Sequence, residues 1–394
     1  MIGDGWSEQH ALRPGPQPPP TVRRIAVVTG SRAEFGLLEP VMTAIGARSD
    51  QVLMVIAAGS HLVLPSQTFY DVRSKFNIAE VVPMQVSGKV GRAEDVESLA
   101  KGVARFGRAF EKLRPDFVVV LGDRIEALAA GLAASVGGYA LCHIHGGDRA
   151  EGIADEAMRH ALTKLAHVHF AATEESSNRI LKMGEQPRRV FTVGSPALDS
   201  LPGFPVLGDE AFKELGAPEA IFLMHPTGRS NELEEAAAAA ALEALGDTRV
   251  LLLHPNFDPG REGIIRALAG AHPQSVNRPH LPRETFVGLL KRLASTGGLL
   301  VGNSSAGLIE AAVLGVRVVD IGPRQNGRER CANVTHVDRE YVAEIAAGVA
   351  KARLLTLHSA THPYGNGQSG QRIAEILSTI DPHEPGFLRK RCVY

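Results

Sequence analysis

His143-Ile144-His145-Gly146-Gly147-Asp148 is closely followed by Asp155-Glu156 and Arg159-His160. Imidazoles and carboxylates gathered this densely suit proton transfer, because burial and neighbouring charge can tune either group to work near neutral pH. The run begins where an apolar, strand-like stretch, Tyr139 to Cys142, ends, and it turns on two glycines. Strand ends are where a parallel α/β sheet opens its ligand crevice. Another carboxylate, Asp123, ends a second apolar run in Gly122-Asp123-Arg124. Its simpler role would be to cap the following helix or to pair with Arg124.

A second set of residues suits an anion. Gly302-Asn303-Ser304-Ser305-Ala306-Gly307 follows an apolar run and precedes an apolar helix, Leu308–Leu314. Small residues let the backbone approach a pyrophosphate, serine hydroxyls donate, and a helix N-terminus favours negative charge. Glu310, in the first turn, could accept from ribose hydroxyls; the competing reading is that Ser304 or Ser305 caps the helix and Glu310 completes the cap. Gly30-Ser31-Arg32 opens another helix and is either an anion turn or an ordinary strand-to-helix turn with a solvated arginine. Arg324 and Arg328 flank a glycine loop and could close over phosphates. His225 and His254 stand at equivalent strand ends further along the chain, where a lone histidine is often only a hydrogen-bonding support. No HExxH occurs, and His143, His145, His160, His167 and His169 are not spaced as a ligand set, so no metal or other cofactor is expected. Gly365-Asn366-Gly367-Gln368-Ser369-Gly370 spells GxGxxG but lies near the C-terminus, outside the first strand–helix unit a dinucleotide fingerprint needs. It reads as a loop entering a last helix, Gln371–Ile380.

The elements that must position these groups alternate regularly. Strand-like runs fall at Arg24–Thr29, Val52–Ala57, Phe117–Leu121, Tyr139–Ile144, Val168–Ala172 and Val190–Val193, then at Ile221–Met224, Val250–Leu253, Gly298–Val301 and Arg317–Ile321. Helical patterns separate them, notably Ala93–Leu113, with apolar residues three or four apart, and the Ala- and Glu-rich Glu232–Leu245. Such alternation predicts βαβ units and parallel sheets. The pattern restarts near residue 200, at Pro202-Gly203-Phe204-Pro205. The expected organisation is α/β: a disordered tail (1–21), an N-terminal Rossmann-like domain (22–200), a C-terminal nucleotide-binding Rossmann-like domain (201–367), and a terminal helix and tail (368–394) that packs back on the first domain. The active site then falls in the cleft between the domains.

Bulk properties narrow the function classes. The 394 residues carry a net charge of -1, so no basic field favours nucleic acid or an anionic membrane. Three cysteines, far apart, form no disulfide framework. No apolar run approaches a membrane span, and the proline-rich start lacks a signal-peptide core, so a cytoplasmic protein is expected.

Eight segments resemble those of the hydrolysing UDP-N-acetylglucosamine 2-epimerases and relatives acting on precursors of sialic and other nonulosonic acids. They are TGSRAEFGLL (29–38), LGDRIEALA (121–129), HIHGGD (143–148), GIADEAMRHALTKLAHVHFAAT (152–173), VGSPALD (193–199), HPNFDPGR (254–261), GNSSAGLIEA (302–311) and IGPRQNGR (321–328). The resemblance implies a GT-B-like pair of domains, a homodimer, and a nucleotide-sugar substrate, with UDP and GDP both open. It implies loss of the nucleotide by anti elimination to a glycal, followed by hydration to the free manno sugar. It also gives Asp123 and Asp155 acid–base roles and counts Asp148, which ends the GGE/GGD motif, with His145 and His225 among the catalytic residues. His225 faces the diphosphate, and Arg32, Gly302, Asn303, Ser304, Ser305, Glu310, Arg324, Arg328 and His254 fall among nucleotide contacts. His145 departs from relatives that carry an acid there, and a catalytic role for it would put an imidazole where they use a carboxylate. Two other classes stay open: a non-hydrolysing epimerase, and a GT-B glycosyltransferase.

Overall fold

The computed structural model describes residues 22–64, 68–89, 91–150, 156–256, 258–357 and 362–393. The expected tail and Asp155 lie outside the described residues.

Thirteen strands are described, in two sheets. The first holds β1 (Arg23–Thr29), β2 (Gln51–Ala58), β3 (Ile78–Val82), β4 (Phe117–Leu121), β5 (Ala140–Ile144), β6 (Val168–Ala171) and β7 (Val190–Thr192), in the order β3-β2-β1-β4-β5-β6-β7. The second holds β8 (Ala220–Leu223), β9 (Val250–Leu253), β10 (Val276–Arg278), β11 (Leu299–Gly302), β12 (Arg317–Ile321) and β13 (Val334–Val337), in the order β10-β9-β8-β11-β12-β13. Every pairing is parallel. Strand order reverses direction between β1 and β4, and again between β8 and β11. Ligand crevices of open parallel sheets lie at such reversals.

Helices cover both faces of each sheet, which is why the strands read as continuous apolar runs rather than alternating ones. In the first sheet Ile25, Val27, Phe117 and Val119 face Phe35, Leu38, Val41 and Met42 of the helix Arg32–Gly46. Their neighbours Ala26, Val28, Val118 and Val120 face Phe106 and Phe110 of the helix Arg92–Leu113 on the other side. In the second, Phe222, Val301 and Val319 pack with Ala237 and Ala241, while Ile221, Leu300 and Val318 pack with Leu289 and Leu293. Among the described residues no helix is long and apolar enough to cross a membrane.

Three strands escape the sequence pattern: β3, β10 and β13. All are sheet edges, and their residues are largely half-buried or exposed. Burial on one side only leaves no unbroken apolar run to read. A second difference lies after β11. The expected helix Leu308–Leu314 breaks into Ser305–Leu308 and Glu310–Leu314 at Ile309. The dipole behind the serines is therefore that of one short turn.

Glycines permit two close approaches. Gly302 has φ +141°, and a Cβ there would lie 2.1 Å from the Leu223 carbonyl oxygen. Gly302→Ala is expected to lower unfolding stability by about 2–4 kcal/mol, from combined strain and overpacking. The urea midpoint reads this. The GxGxxG glycines serve a crossing: a Cβ on Gly365 would sit 2.8 Å from the Gly194 Cα. The chain then enters the last helix, Ser369–Thr379, whose first amides, on Ser369 and Gly370, donate to the Asp199 carboxylate at 3.0 and 2.6 Å. That helix lies against the helix Arg32–Gly46 of the first half, and Gln51 Nε2 donates to its Ala374 carbonyl at 2.7 Å.

Candidate active site

The loops after the four strands at the two reversals carry Gly30-Ser31, Gly122-Asp123-Arg124, His225 and Gly302–Ser305. Beside them, β5 delivers His145–Asp148 and β12 delivers Arg324–Arg328. The two halves meet here. Arg328 Nη2 lies 3.4 Å from Asp148 Oδ2, Arg124 Nη1 3.5 Å from Asp258 Oδ1, and Thr173 Oγ1 donates to Glu329 Oε1 at 2.6 Å.

His145 and Asp148 form one unit. His145 takes φ +63°, an uncommon left-handed conformation for a residue with a side chain. Its Nδ1 is 2.9 Å from Asp148 Oδ2, and its Nε2 is 3.1 Å from Ser195 Oγ. Asp148 is 3% exposed. Burial pushes its carboxyl up, but His145, the Arg328 guanidinium and the Ser176 hydroxyl, at 2.8 Å, outweigh this and hold it at about 2. The carboxylate is thus ionised and fully engaged: it anchors the turn and the arginine loop opposite.

Asp123 ion-pairs with Arg159, which is 4% exposed. Arg159 also pairs with Glu156 at 2.8 Å and donates to the Asp148 carbonyl at 3.3 Å. Burial, then nearby Arg328 and Arg324, lower the Arg159 guanidinium well below its usual range. Three guanidiniums therefore converge on one region, which suits a departing anion. His143 sits beneath. Its Nε2 donates to the Gly122 carbonyl at 2.7 Å, and burial lowers it to about 3, so it is a neutral strut for the Asp123 turn.

In the second half, Asn303 clamps His225. Its Oδ1 accepts from the His225 amide at 2.7 Å, and its Nδ2 donates to the His225 carbonyl at 2.9 Å. Both ends of the amide thus engage one backbone unit, which fixes the His225 turn against the Gly302–Ser305 loop. His225 Nδ1 accepts from the Asn256 amide at 3.2 Å, which puts its hydrogen on Nε2. Burial, then Arg324, lowers His225 to about 3, so the ring is a neutral donor. The Asn303 carbonyl takes Arg324 Nη1 at 3.2 Å and Gln325 Nε2 at 2.8 Å, fixing the arginine loop. Ser304 caps the short turn by accepting from the Ala306 amide at 3.4 Å, and Ser305 is half-buried beside it.

Four further positions have partners within the chain. His254 Nε2 bonds Asn277 Oδ1 at 2.8 Å on the β10 side of β9, away from β11, so it stands outside the His225 cluster. The Gly30 and Ser31 amides donate to the chain's own Glu34 carboxylate at 2.8 and 3.1 Å, so the turn fills its own anion site and only exposed Arg32 remains there for a ligand. Burial and Glu126 raise Glu34 to about 7. Glu310 is paired with Arg283 at 3.3 Å, and Arg283 in turn donates to the Ala197 carbonyl at 2.6 Å, so Glu310 ties the second half to the connecting segment. Arg229 is held by Glu340 at 2.5 Å and Glu234 at 3.1 Å. Ser195, Ser176, Asn256 and Arg283 are the supports that sequence reasoning missed. Ser195 carried a signal through its place in VGSPALD, and Asn256 through its place in HPNFDPGR.

Comparisons with known proteins fit this arrangement. Residues 43–378 match the family model described as UDP-N-acetylglucosamine 2-epimerase. A Legionella pneumophila protein, UDP-N,N'-diacetylbacillosamine 2-epimerase (hydrolyzing), is 33% identical over 92% of this chain and 97% of its own. A Neisseria meningitidis UDP-N-acetylglucosamine 2-epimerase is 30% identical over 91% and 95%. The Methanocaldococcus jannaschii UDP-GlcNAc 2-epimerase, solved with UDP-GlcNAc and UDP, superposes with a TM-score of 0.76 at 18% identity, covering 90% of this chain and 99% of that one. This last likeness is one of fold: two α/β domains facing a cleft.

Proposed function

The chain belongs to the UDP-N-acetylglucosamine 2-epimerase family, and from that premise we propose that it is a hydrolysing member. Its substrate would be a nucleoside-diphosphate-linked 2-acetamido sugar, and its products the free manno sugar and the nucleoside diphosphate. In the first step a base takes the C2 proton, and the C2–H electron pair becomes the C1=C2 bond of a glycal. The C1–O bond breaks with its electrons going to the diphosphate oxygen. Water then adds its oxygen to C1 while an acid delivers a proton to the opposite face of C2. A C2 proton beside an acetamido group is weakly acidic, so a placed carboxylate is needed. Asp123 is one such group in this reading, and Asp155, by resemblance, the other.

The departing diphosphate is met by the His225 Nε2–H donor, Arg324, Arg328 and the serines at 304 and 305. One observation carries the reading: Asp123, on its Arg159 anchor, and the His225–arginine-loop assembly face one cleft, joined by Arg328 to Asp148. The hydrolysing name of the Legionella relative supports the hydrolytic outcome. The Neisseria relative, named without that qualifier, favours a second reading in which the product keeps its nucleotide.

Incubation with UDP-N-acetylglucosamine and its 4-acetamido analogue in D2O separates the two. Hydrolysis is expected to release UDP and a free manno sugar carrying one deuterium at C2. A UDP-linked epimer carrying that deuterium would replace this proposal with the second reading.

A further inference from the structure

We propose that Ser195 is a positioning residue for the reaction, its hydroxyl holding the His145 imidazole in the tautomer that carries hydrogen on Nδ1. Asp148 is an ionised carboxylate and can only accept, so the 2.9 Å contact requires Nδ1 to donate. In a neutral ring Nε2 must then accept, and the group facing it at 3.1 Å is Ser195 Oγ. That oxygen already accepts from the Ala197 amide at 3.3 Å, which leaves its hydrogen for His145. Ser195 is 0% exposed, so bulk water does not compete for its hydroxyl in the wild type.

The backbone fixes where that hydroxyl sits. Ser195 lies between β7 and the segment joining the two domains, and its amide donates to the Tyr364 carbonyl at 2.8 Å, where the returning chain crosses at Gly194 and Gly365. The opposite side of the ring is braced from the other domain. Asp148 accepts from Ser176 Oγ at 2.8 Å; beside that hydroxyl, at 3.1 Å, Thr173 Oγ1 gives its one hydrogen to Glu329 at 2.6 Å, next to Arg328. A ring flip would turn Cδ2 toward Asp148 and Cε1 toward Ser195, and both hydrogen bonds would be lost. The imidazole therefore keeps one orientation only while the domain connection and the arginine loop are both in place.

The kinetic part of this inference rests on the epimerase reading; the ring's tautomer does not. Ser195→Ala is expected to lower kcat by roughly tenfold or more, while KM and UDP affinity stay within about twofold, as for a group that acts on the chemical step through another. Ser195→Cys, similar in shape and a weaker donor, should fall between. Thermal melts of both variants check that the fold is kept. Independently, proton NMR of the wild type should show a downfield Nδ1 proton that His145→Gln removes. In Ser195→Ala that resonance should broaden or vanish as the freed ring exchanges with solvent. An unchanged resonance with unchanged kcat in Ser195→Ala overturns the proposal. A wild type that keeps the resonance but releases no UDP from any nucleotide sugar strikes the epimerase reading instead.

Discussion

Asp123→Asn is expected to lower kcat by on the order of 10²-fold or more, the usual size of a lost acid–base group. Affinity for UDP should change little. Asparagine keeps the shape of the side chain and can still accept a hydrogen bond from Arg159, so the turn stays in place. What disappears is the charge and the ability to carry a proton. The groups placed to hold the diphosphate, His225, Arg324 and Arg328, belong to the other domain and are fixed by Asn303, Asn256 and Gln325, none of which touches Asp123 in the described contacts. Steady-state kinetics together with UDP calorimetry read the split. A variant with normal kcat and a tenfold weaker UDP complex would place Asp123 among the binding groups and remove it from the chemistry.

Local composition reveals the central strands because both faces of each sheet are buried. Phe117–Leu121 and Val250–Leu253 have the same bounds in sequence and structure. Edge strands carry no such signature, and β10, with one half-buried and two exposed residues, is the extreme case. In the site, residue type was enough to mark His145, Asp148, Asp123 and the arginines as chemically capable. It could not say which of them are already engaged. Asp148 looks like a base in sequence, yet three partners from three segments, His145, Ser176 and Arg328, close around its carboxylate. Asn303 looks like a ligand contact, yet its amide is matched to one backbone unit 78 positions away. Glu34 satisfies the anion turn from within its own helix, a local feature the S-x-x-E spacing of a capping box makes readable. Partner assignments between distant segments depend on the tertiary fold, and a sequence pattern of period two or 3.6 contains nothing about them.

Arg159 is the residue whose loss should reach furthest. Arg159→Met keeps most of the buried volume and removes the guanidinium. Asp123 then loses its ion-pair partner, and the Asp148 carbonyl loses a donor. Breaking one side of a buried pair costs about 3–5 kcal/mol. Two effects reduce that figure here. Glu156 keeps His160 Nε2 at 3.1 Å and the Ala150 amide at 2.9 Å, and Arg324 and Arg328 lose a like charge beside them. A destabilisation near the lower end, about 3 kcal/mol, is the expected result in urea. Activity should fall further than stability explains, because Asp123 is no longer held at the cleft. At a temperature where the variant remains folded, kcat should be down by on the order of 10²-fold. Arg159→Lys separates the two effects. A lysine restores the charge but not the planar fork that reaches Asp123, Glu156 and the Asp148 carbonyl together. It should recover part of the stability and little of the turnover. Equal recovery of both would mean that charge alone, and not the three-way geometry, is what the site requires of this position.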